Sequence, residues 1–231
     1  MSDDRTRDEY VLSFYRVRQA LGLLGLTFPV LLVLGGLLAD AKIHPSISDY
    51  YHTTLRDIFV GALFAIGIFL ISYKGHSRQP GERLSDNLAA TLAGVGAFGL
   101  AIFPNRLVAG RENFFQLYLG GWANYLHFVA ALLFLGSMAY FCLGKFARTK
   151  NYHRRIIYRW CGWSIIVFGI LATIASILRI TASPYWQNMI EFSGIILWCE
   201  AVGIWAFGLS WLVKGKADIM LARRIRRKRS T

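Results

Sequence analysis

The sequence predicts an all-α membrane bundle of six transmembrane helices with both termini cytoplasmic, and three observations lead there. Six apolar stretches approach the roughly 20 residues that a helix needs to cross a hydrocarbon core about 30 Å thick. They are apolar on every side, whereas a helix of a water-soluble domain keeps one polar face. Positive charge is unevenly spread: 21 of the 26 Lys and Arg residues lie at the termini or in alternate connections, as the positive-inside rule requires of cytoplasmic segments. Composition agrees. Of 231 residues, 55% are hydrophobic and 17% charged, with mean hydropathy +0.41, where a soluble domain carries roughly 25% charge. Disorder, a coiled coil and a disulfide scaffold are excluded. A net charge of +13 leaves a membrane protein or a basic nucleic-acid binder, and the apolar stretches decide for the membrane.

In chain order, residues 1–19 form a polar N-terminal segment carrying Arg5, Arg7, Arg16 and Arg18. The first span, 20–39, contains no charge and has no small-residue cleavage site, so it is read as span and targeting signal together. The second and third spans, 55–73 and 86–103, are short at their strict apolar limits and gain length from polar turns. Lys74, Arg78 and Arg83 lie between them. The fourth and fifth spans, 122–143 and 159–181, flank a connection holding Lys145, Arg148, Lys150, Arg154, Arg155 and Arg159. The sixth span, 189–213, runs into a basic cytoplasmic tail, 214–231. Only Lys42, Arg56, Arg106, Arg111 and Arg179 fall on the outer side. Trp122 and Trp186 mark outer edges and Trp160, Trp163 and Trp211 inner ones, as interfacial aromatics do. Trp198 and Trp205 lie mid-span, where they pack.

Three motifs have plain explanations. Gly94, Gly96 and Gly99 spell a dinucleotide fingerprint, but inside an apolar span among Ala90, Ala93 and Ala97 they read as close helix packing. The tail Arg223–Arg229 reads as a topology anchor on anionic headgroups, and no nucleic-acid partner is expected. Cys142, Cys161 and Cys199 have no metal spacing and read as small packing residues.

The segment from His44 to Asp57 is the polar lead-in to the second span. Pro45, Ser46 and Ser48 make a helix start. A helix beginning there puts Ser48, His52 and Arg56 on one face and Asp49, Thr53 and Asp57 on the next. Asn124 and His127 open the fourth span at the same level. Arg179 closes the fifth, Glu191 opens the sixth, and Asn105, Arg106, Arg111 and Glu112 sit in the loop between. Two functional readings fit this cluster. His44, His52 and His127 with Asp49 or Asp57 have the ligand types of a metal site, zinc being the ion, at which water is activated. Alternatively Arg56, Arg106 and Arg179 hold a lipid phosphate, with Tyr50 and Tyr51 at the interface. The remaining reading is mutual pairing of Arg and Asp at the bundle mouth. His76 and His153 belong to cytoplasmic loops.

Glu200 stands apart. It lies mid-span, where a charge costs several kcal/mol unless partnered or protonated, and it is out of phase with Glu191 on a continuous helix. It reads as a neutral hydrogen-bonded residue or as a proton or ligand site.

The run Pro45-Ser46-Ile47-Ser48-Asp49 resembles a signature of the DRAM-like group of six-span membrane proteins and a related bacterial six-span family of unknown function. The Gly-rich span ending Phe103-Pro104-Asn105 before a helix with His127 is similar, as is Glu200…Trp205-Ala206-Phe207-Gly208…Trp211…Lys214-Gly215. The wider group is implicated in lipid handling, lipid-anchor remodelling and membrane organisation, which implies Ser48, Asp49 and His127 as matching positions. Ser48 and His52 also resemble the Ser-x-x-x-His element of the alkaline ceramidase and adiponectin-receptor superfamily, whose late His-x-x-x-His this sequence lacks. The expected protein is a multi-pass protein of the bacterial inner (plasma) membrane that binds or organises membrane lipid. Its expected pocket, formed by the second, fourth and sixth spans, comprises Ser48, Asp49, Tyr50, Tyr51, Arg56, Asp57, Asn124, His127, Arg179 and Glu191. A metal-dependent lipid hydrolase at His44, His52 and His127, and a proton-coupled transporter using Glu200, are the alternatives.

Overall fold

Helix α1, Ser2–Ala39, opens the chain and runs well ahead of the apolar stretch that begins at residue 20. The structure, a computed structural model, describes residues 2–75, 78, 81–106 and 113–216, with side chains from Tyr15 onward. His76, Arg111, Glu112 and the basic tail from residue 217 lie outside the described residues. After α1 come a 3₁₀ turn, Ser48–His52, then α2, Arg56–Ile71, α3, Asp86–Ile102, and the short α4, Phe114–Leu119. Helix α5, Trp122–Tyr140, continues through a π turn, Phe141–Lys145, and a 3₁₀ turn, Phe146–Arg148. The last three helices are α6, Tyr152–Thr181, α7, Pro184–Ser193, and α8, Ile195–Lys214. No strand occurs among the described residues.

Four helical stretches are long and apolar enough to cross a membrane: Tyr15–Ala39, Trp122–Arg148, Tyr152–Thr181 and Ile195–Lys214. The chain is therefore read as a membrane protein. Helices α2 and α3 have 16 and 17 residues, fewer than the roughly 20 of a full span.

Small residues set the helix pairings. A methyl on Gly22 would lie 2.7 Å from the Gly208 carbonyl oxygen, and one on Gly208 would lie 2.8 Å from that of Gly22. Thus α1 and α8 touch backbone to backbone, the approach small residues permit in lipid. Gly94 faces the Gly67 carbonyl of α2, and Gly96 faces the Ala130 carbonyl and Phe134 amide of α5. The G-x-G-x-x-G run is thereby used on two sides of α3 for packing. The closest pairs, α6 with α8, α1 with α8, α2 with α3 and α3 with α5, form two three-helix layers, α2–α3–α5 and α1–α8–α6. Trp211, fully buried, stands in the core between them, its ring against Tyr73, Phe141, Phe146 and Phe207 at 5.1–6.4 Å.

At the end of the bundle holding the π turn, Lys145 reaches two buried carboxylates, Glu82 at 2.5 Å and Asp86 at 3.0 Å. Tyr140 bonds both backbone groups of Leu84. This end is clamped by charge.

Two sequence expectations are corrected. The apolar stretch from 189 to 213 is not one helix: Gly194, at φ 62°, takes the left-handed conformation and separates α7 from α8, a position glycine occupies without a Cβ penalty. Glu191 therefore sits on α7, and its helical phase with Glu200 has no meaning. The lead-in from Pro45 is likewise not continuous with α2. The Thr53 hydroxyl donates to the Tyr50 carbonyl at 2.9 Å and accepts the Leu55 amide at 3.1 Å, competing for groups a helix would use, and Thr53 itself is extended.

Candidate functional site

The site grows from the connection between α1 and α2. Helix α1 ends at Ala39, and Ala41 turns the chain at φ 51°. Asp40 then holds the His44 ring at 2.9 Å, and the Pro45 carbonyl accepts the Leu197 amide of α8 at 2.9 Å, satisfying a donor that a helix start leaves open. The 3₁₀ turn that follows buries Asp49, Tyr50, Tyr51 and His52. Tyr50 accepts the His44 amide, and burial raises its phenol above the ordinary value. The Tyr51 hydroxyl donates to the Ile102 carbonyl and accepts from Arg56 and Asn113. The loop is thus tied to α3 and α8 at once.

Asp49 has no exposed surface. Its carboxylate takes Arg179 of α6 at 2.8 Å, the Asn105 amide at 2.9 Å and Arg106 at 3.3 Å. Arg179 also reaches Glu191 of α7 at 3.1 Å. A buried carboxylate with charged partners on two sides is the arrangement that makes such a group tolerable. His52 bonds Asn105 at 3.1 Å. Burial, then the positive charge of Arg106, lowers its pKa below 6.5, against the opposing pull of the Asn105 bond and Asp49.

His127 is buried on α5 beside this network. Its Nδ1 donates to the Phe103 carbonyl at 2.7 Å. That carbonyl is open because α3 stops one residue earlier and proline follows. A carbonyl only accepts, so Nδ1 carries the proton and the neutral ring presents a lone pair at Nε2. The Ser48 hydroxyl lies 3.1 Å from that nitrogen and donates to it.

Glu200 of α8 closes the constellation. One carboxylate oxygen accepts the Ser46 hydroxyl at 2.7 Å and the Ile47 amide at 2.6 Å, and the Ser46 hydroxyl in turn accepts the Ser48 amide at 3.1 Å. Glu200 lies in the second turn of α8, not at mid-helix as on an unbroken span, and the partners of its carboxylate are a hydroxyl and backbone, not a cation. They come from a loop some 150 residues away in sequence.

These groups line one cavity of about 220 Å³, walled by Ser46, Ser48, Asn105, Arg106, His127, Thr173, Ser176, Arg179 and Glu200 with apolar surface from α5 and α6. It shares Phe128, Ala131, Leu135, Gly169 and Thr173 with a groove of about 530 Å³ between α5 and α6. That groove is lined almost wholly by aliphatic side chains, several exposed, including Leu132, Ile170 and Ile177. A chamber with polar groups on its wall thus adjoins an apolar groove along the flank, the two sharing wall residues of α5 and α6.

Of the residues singled out in the sequence, Ser48, Arg106, His127, Arg179 and Glu200 meet here, with Asp49 behind the arginines. Glu191 touches the site through Arg179. Tyr51, Arg56 and Asp57 line a separate depression with Asn113 and Phe114, where Arg56 stacks on the Tyr51 ring at 4.5 Å. Tyr50 is enclosed in the core, and the Asn124 side-chain oxygen is buried with no partner among the described residues. His44, His52 and His127 bond to Asp40, Asn105 and Phe103 respectively. Among the described residues no group of three or more His, Cys, Asp or Glu is placed to hold a metal ion. The expected contribution of the second span is supplied by α6 and by the loop before α2. Ser46 and Asn105 were not among the expected pocket residues, although the sequence places Asn105 in the loop of the outer cluster and Ser46 at the helix start beside Pro45. Comparison with family models, with curated proteins and with solved structures gives no match to this chain.

Proposed function

We propose that the chain is a six-span integral membrane protein with cytoplasmic termini that binds one amphipathic lipid. Its polar headgroup would occupy the chamber at Ser48, His127, Arg106 and Arg179, and its acyl chain the α5–α6 groove. The observation that carries this reading is the adjacency of the two spaces, a chamber with polar wall groups beside an aliphatic groove with which it shares wall residues, which matches the two halves of a lipid. Arginine suits an anionic or phosphate headgroup. In this reading α2 and α3 span with help from flanking polar turns, and the charge bias of the sequence sets the chamber on the outward side of the bacterial inner membrane. The basic tail rests on anionic headgroups of the opposite face. The DRAM-like resemblance, with its association with lipid handling, points the same way.

The test is lipid retained by the full chain after purification in mild detergent, measured by native mass spectrometry. Gly136 lines the groove, and a Cβ added there meets nothing within 4 Å. Gly136→Leu therefore sets an isobutyl group in the groove from a position whose Cβ is unobstructed. Gly136→Leu and Arg179→Ala should each lose the bound lipid, while Arg56→Ala, in the separate depression, keeps it. An unchanged lipid profile in both of the first two variants would overturn the reading.

A further inference from the structure

We infer that Ser48 and His127 are a nucleophile and general base for acyl transfer from an ester-bearing amphiphile held in this cavity, an inference that rests on the lipid-binding reading. Lipid binding alone requires neither group to be arranged as it is. The Phe103 carbonyl fixes His127 at 2.7 Å in the tautomer that leaves Nε2 unprotonated, and Ser48 donates to that nitrogen at 3.1 Å. A serine hydroxyl bonded to an imidazole that a third group orients is the arrangement that activates a weak nucleophile. The orienting group here is a neutral carbonyl rather than a carboxylate. Both side chains line the chamber, so a carbonyl carbon within it can reach the hydroxyl. Arg106 and Arg179 line the same chamber, held by Asp49, and give it the positive charge that favours a developing oxyanion.

The step balances with water as the second reactant. Ser48 Oγ bonds to the ester carbonyl carbon as its proton passes to His127 Nε2. Collapse of the adduct breaks the bond to the alkoxy oxygen, which takes that proton and leaves as an alcohol. Water then attacks the acyl carbon, giving a proton to Nε2, and Ser48 departs with that proton restored. The products are a fatty acid and an alcohol. Glu200 touches neither reacting atom; through Ser46 and Ile47 it is a positioning residue for the loop bearing Ser48.

The experiment uses the full chain in detergent micelles, a long-chain alkyl fluorophosphonate as probe, and peptide mapping by mass spectrometry. The expected result is stoichiometric labelling at Ser48, absent in Ser48→Ala and slowed at least ~100-fold in His127→Gln, the usual worth of a general base. A long-chain p-nitrophenyl ester should give a burst of nitrophenolate from the wild type, the mark of an acyl-enzyme. Ser48→Ala removes one oxygen, and its loss of label, read beside an unchanged melting curve, carries the test if His127→Gln does not fold. Retained lipid with no label on Ser48 and no burst overturns acyl transfer while leaving lipid binding standing. Equal labelling in His127→Gln overturns the role of the base. Failure of the wild type to hold any lipid overturns the underlying reading instead.

Discussion

Asp49→Ala should be among the most damaging single substitutions in the protein. The carboxylate has no exposed surface and meets Arg179, Asn105 and Arg106 at 2.8, 2.9 and 3.3 Å. Breaking a buried ion pair by deleting one member costs about 3–5 kcal/mol, because the other charge is stranded. Two features move this case to the lower part of that range. Arg179 keeps Glu191 at 3.1 Å, and the Arg106 side chain is 48% exposed, so water compensates it. The Asn105 amide loses an acceptor, about 1 kcal/mol. The net expectation is about 3–4 kcal/mol, or a melting shift of roughly 6–16 °C at the ~2–4 °C per kcal/mol of a chain this size. Tryptophan fluorescence during thermal unfolding in micelles measures it. The control is Asp57→Ala on an exposed carboxylate, expected within about 0.5 kcal/mol of wild type. Combining Asp49→Ala with Arg179→Ala should cost clearly less than the sum of the two. A melting point for Asp49→Ala that matches the Asp57 control, or strict additivity with Arg179→Ala, would refute the buried-pair account.

Other perturbations read different parts of the fold. With its pKa lowered chiefly by burial, His52 binds its proton more readily in the unfolded chain. Its contribution is therefore complete above about pH 6.5 and is lost as pH falls below that value. Asp49, Arg56, Arg106, Asn105 and His127 surround it, so the wild type is compared with His52→Gln; between about pH 7.5 and 5.5 it should lose more melting temperature, and parallel profiles would count against the assignment. At Gly96 an added methyl meets backbone of α5 at 2.7 Å, so Gly96→Ala should cost about 1–3 kcal/mol. Gly61→Ala, with nothing within 4 Å, should gain roughly 0.5–1 kcal/mol; equal effects in denaturant titrations would contradict the close α3–α5 approach. Lys145→Met removes the cation shared by two buried carboxylates and should cost about 3–5 kcal/mol. The half-exposed Arg148 should matter by no more than about 1 kcal/mol, and a reversed order would show that the clamp is misassigned.

Local chemistry made several elements legible. The apolar stretch at 86–103 corresponds to α3, Asp86–Ile102; in the structure Ser85 caps its first turn, accepting the Leu88 amide at 3.1 Å, and Phe103-Pro104 stops it. The start of α5 at Trp122 was equally plain. The break at Gly194 was not, since the residues on both sides are apolar and a left-handed glycine leaves no mark in hydropathy. Short α4 was missed for a related reason: its box between Asn113 and Gln116 is a two-residue signal outside any apolar stretch. The site was legible as residue types, His127, Ser48 and Arg179 all having been singled out, but not as an arrangement. Glu200 with Ser46, or Lys145 with Glu82, joins positions 154 and 63 residues apart, and no periodicity in one sequence encodes such a pairing. Arg56 shows the converse. Its helical spacing from Ser48 suggested a common face, and one hydroxyl, that of Thr53, separates them.

The aliphatic groove between α5 and α6 is bordered by exposed Leu132, Ile170, Ile174 and Ile177, so its mouth is lateral. On the proposed lipid-binding reading, a ligand arriving there comes out of the membrane plane, and its chemical potential is set by its mole fraction among neighbouring lipids, not by its aqueous concentration. Adding inert phospholipid at constant total ligand should then weaken occupancy in proportion, while diluting the whole suspension with buffer should leave it nearly unchanged.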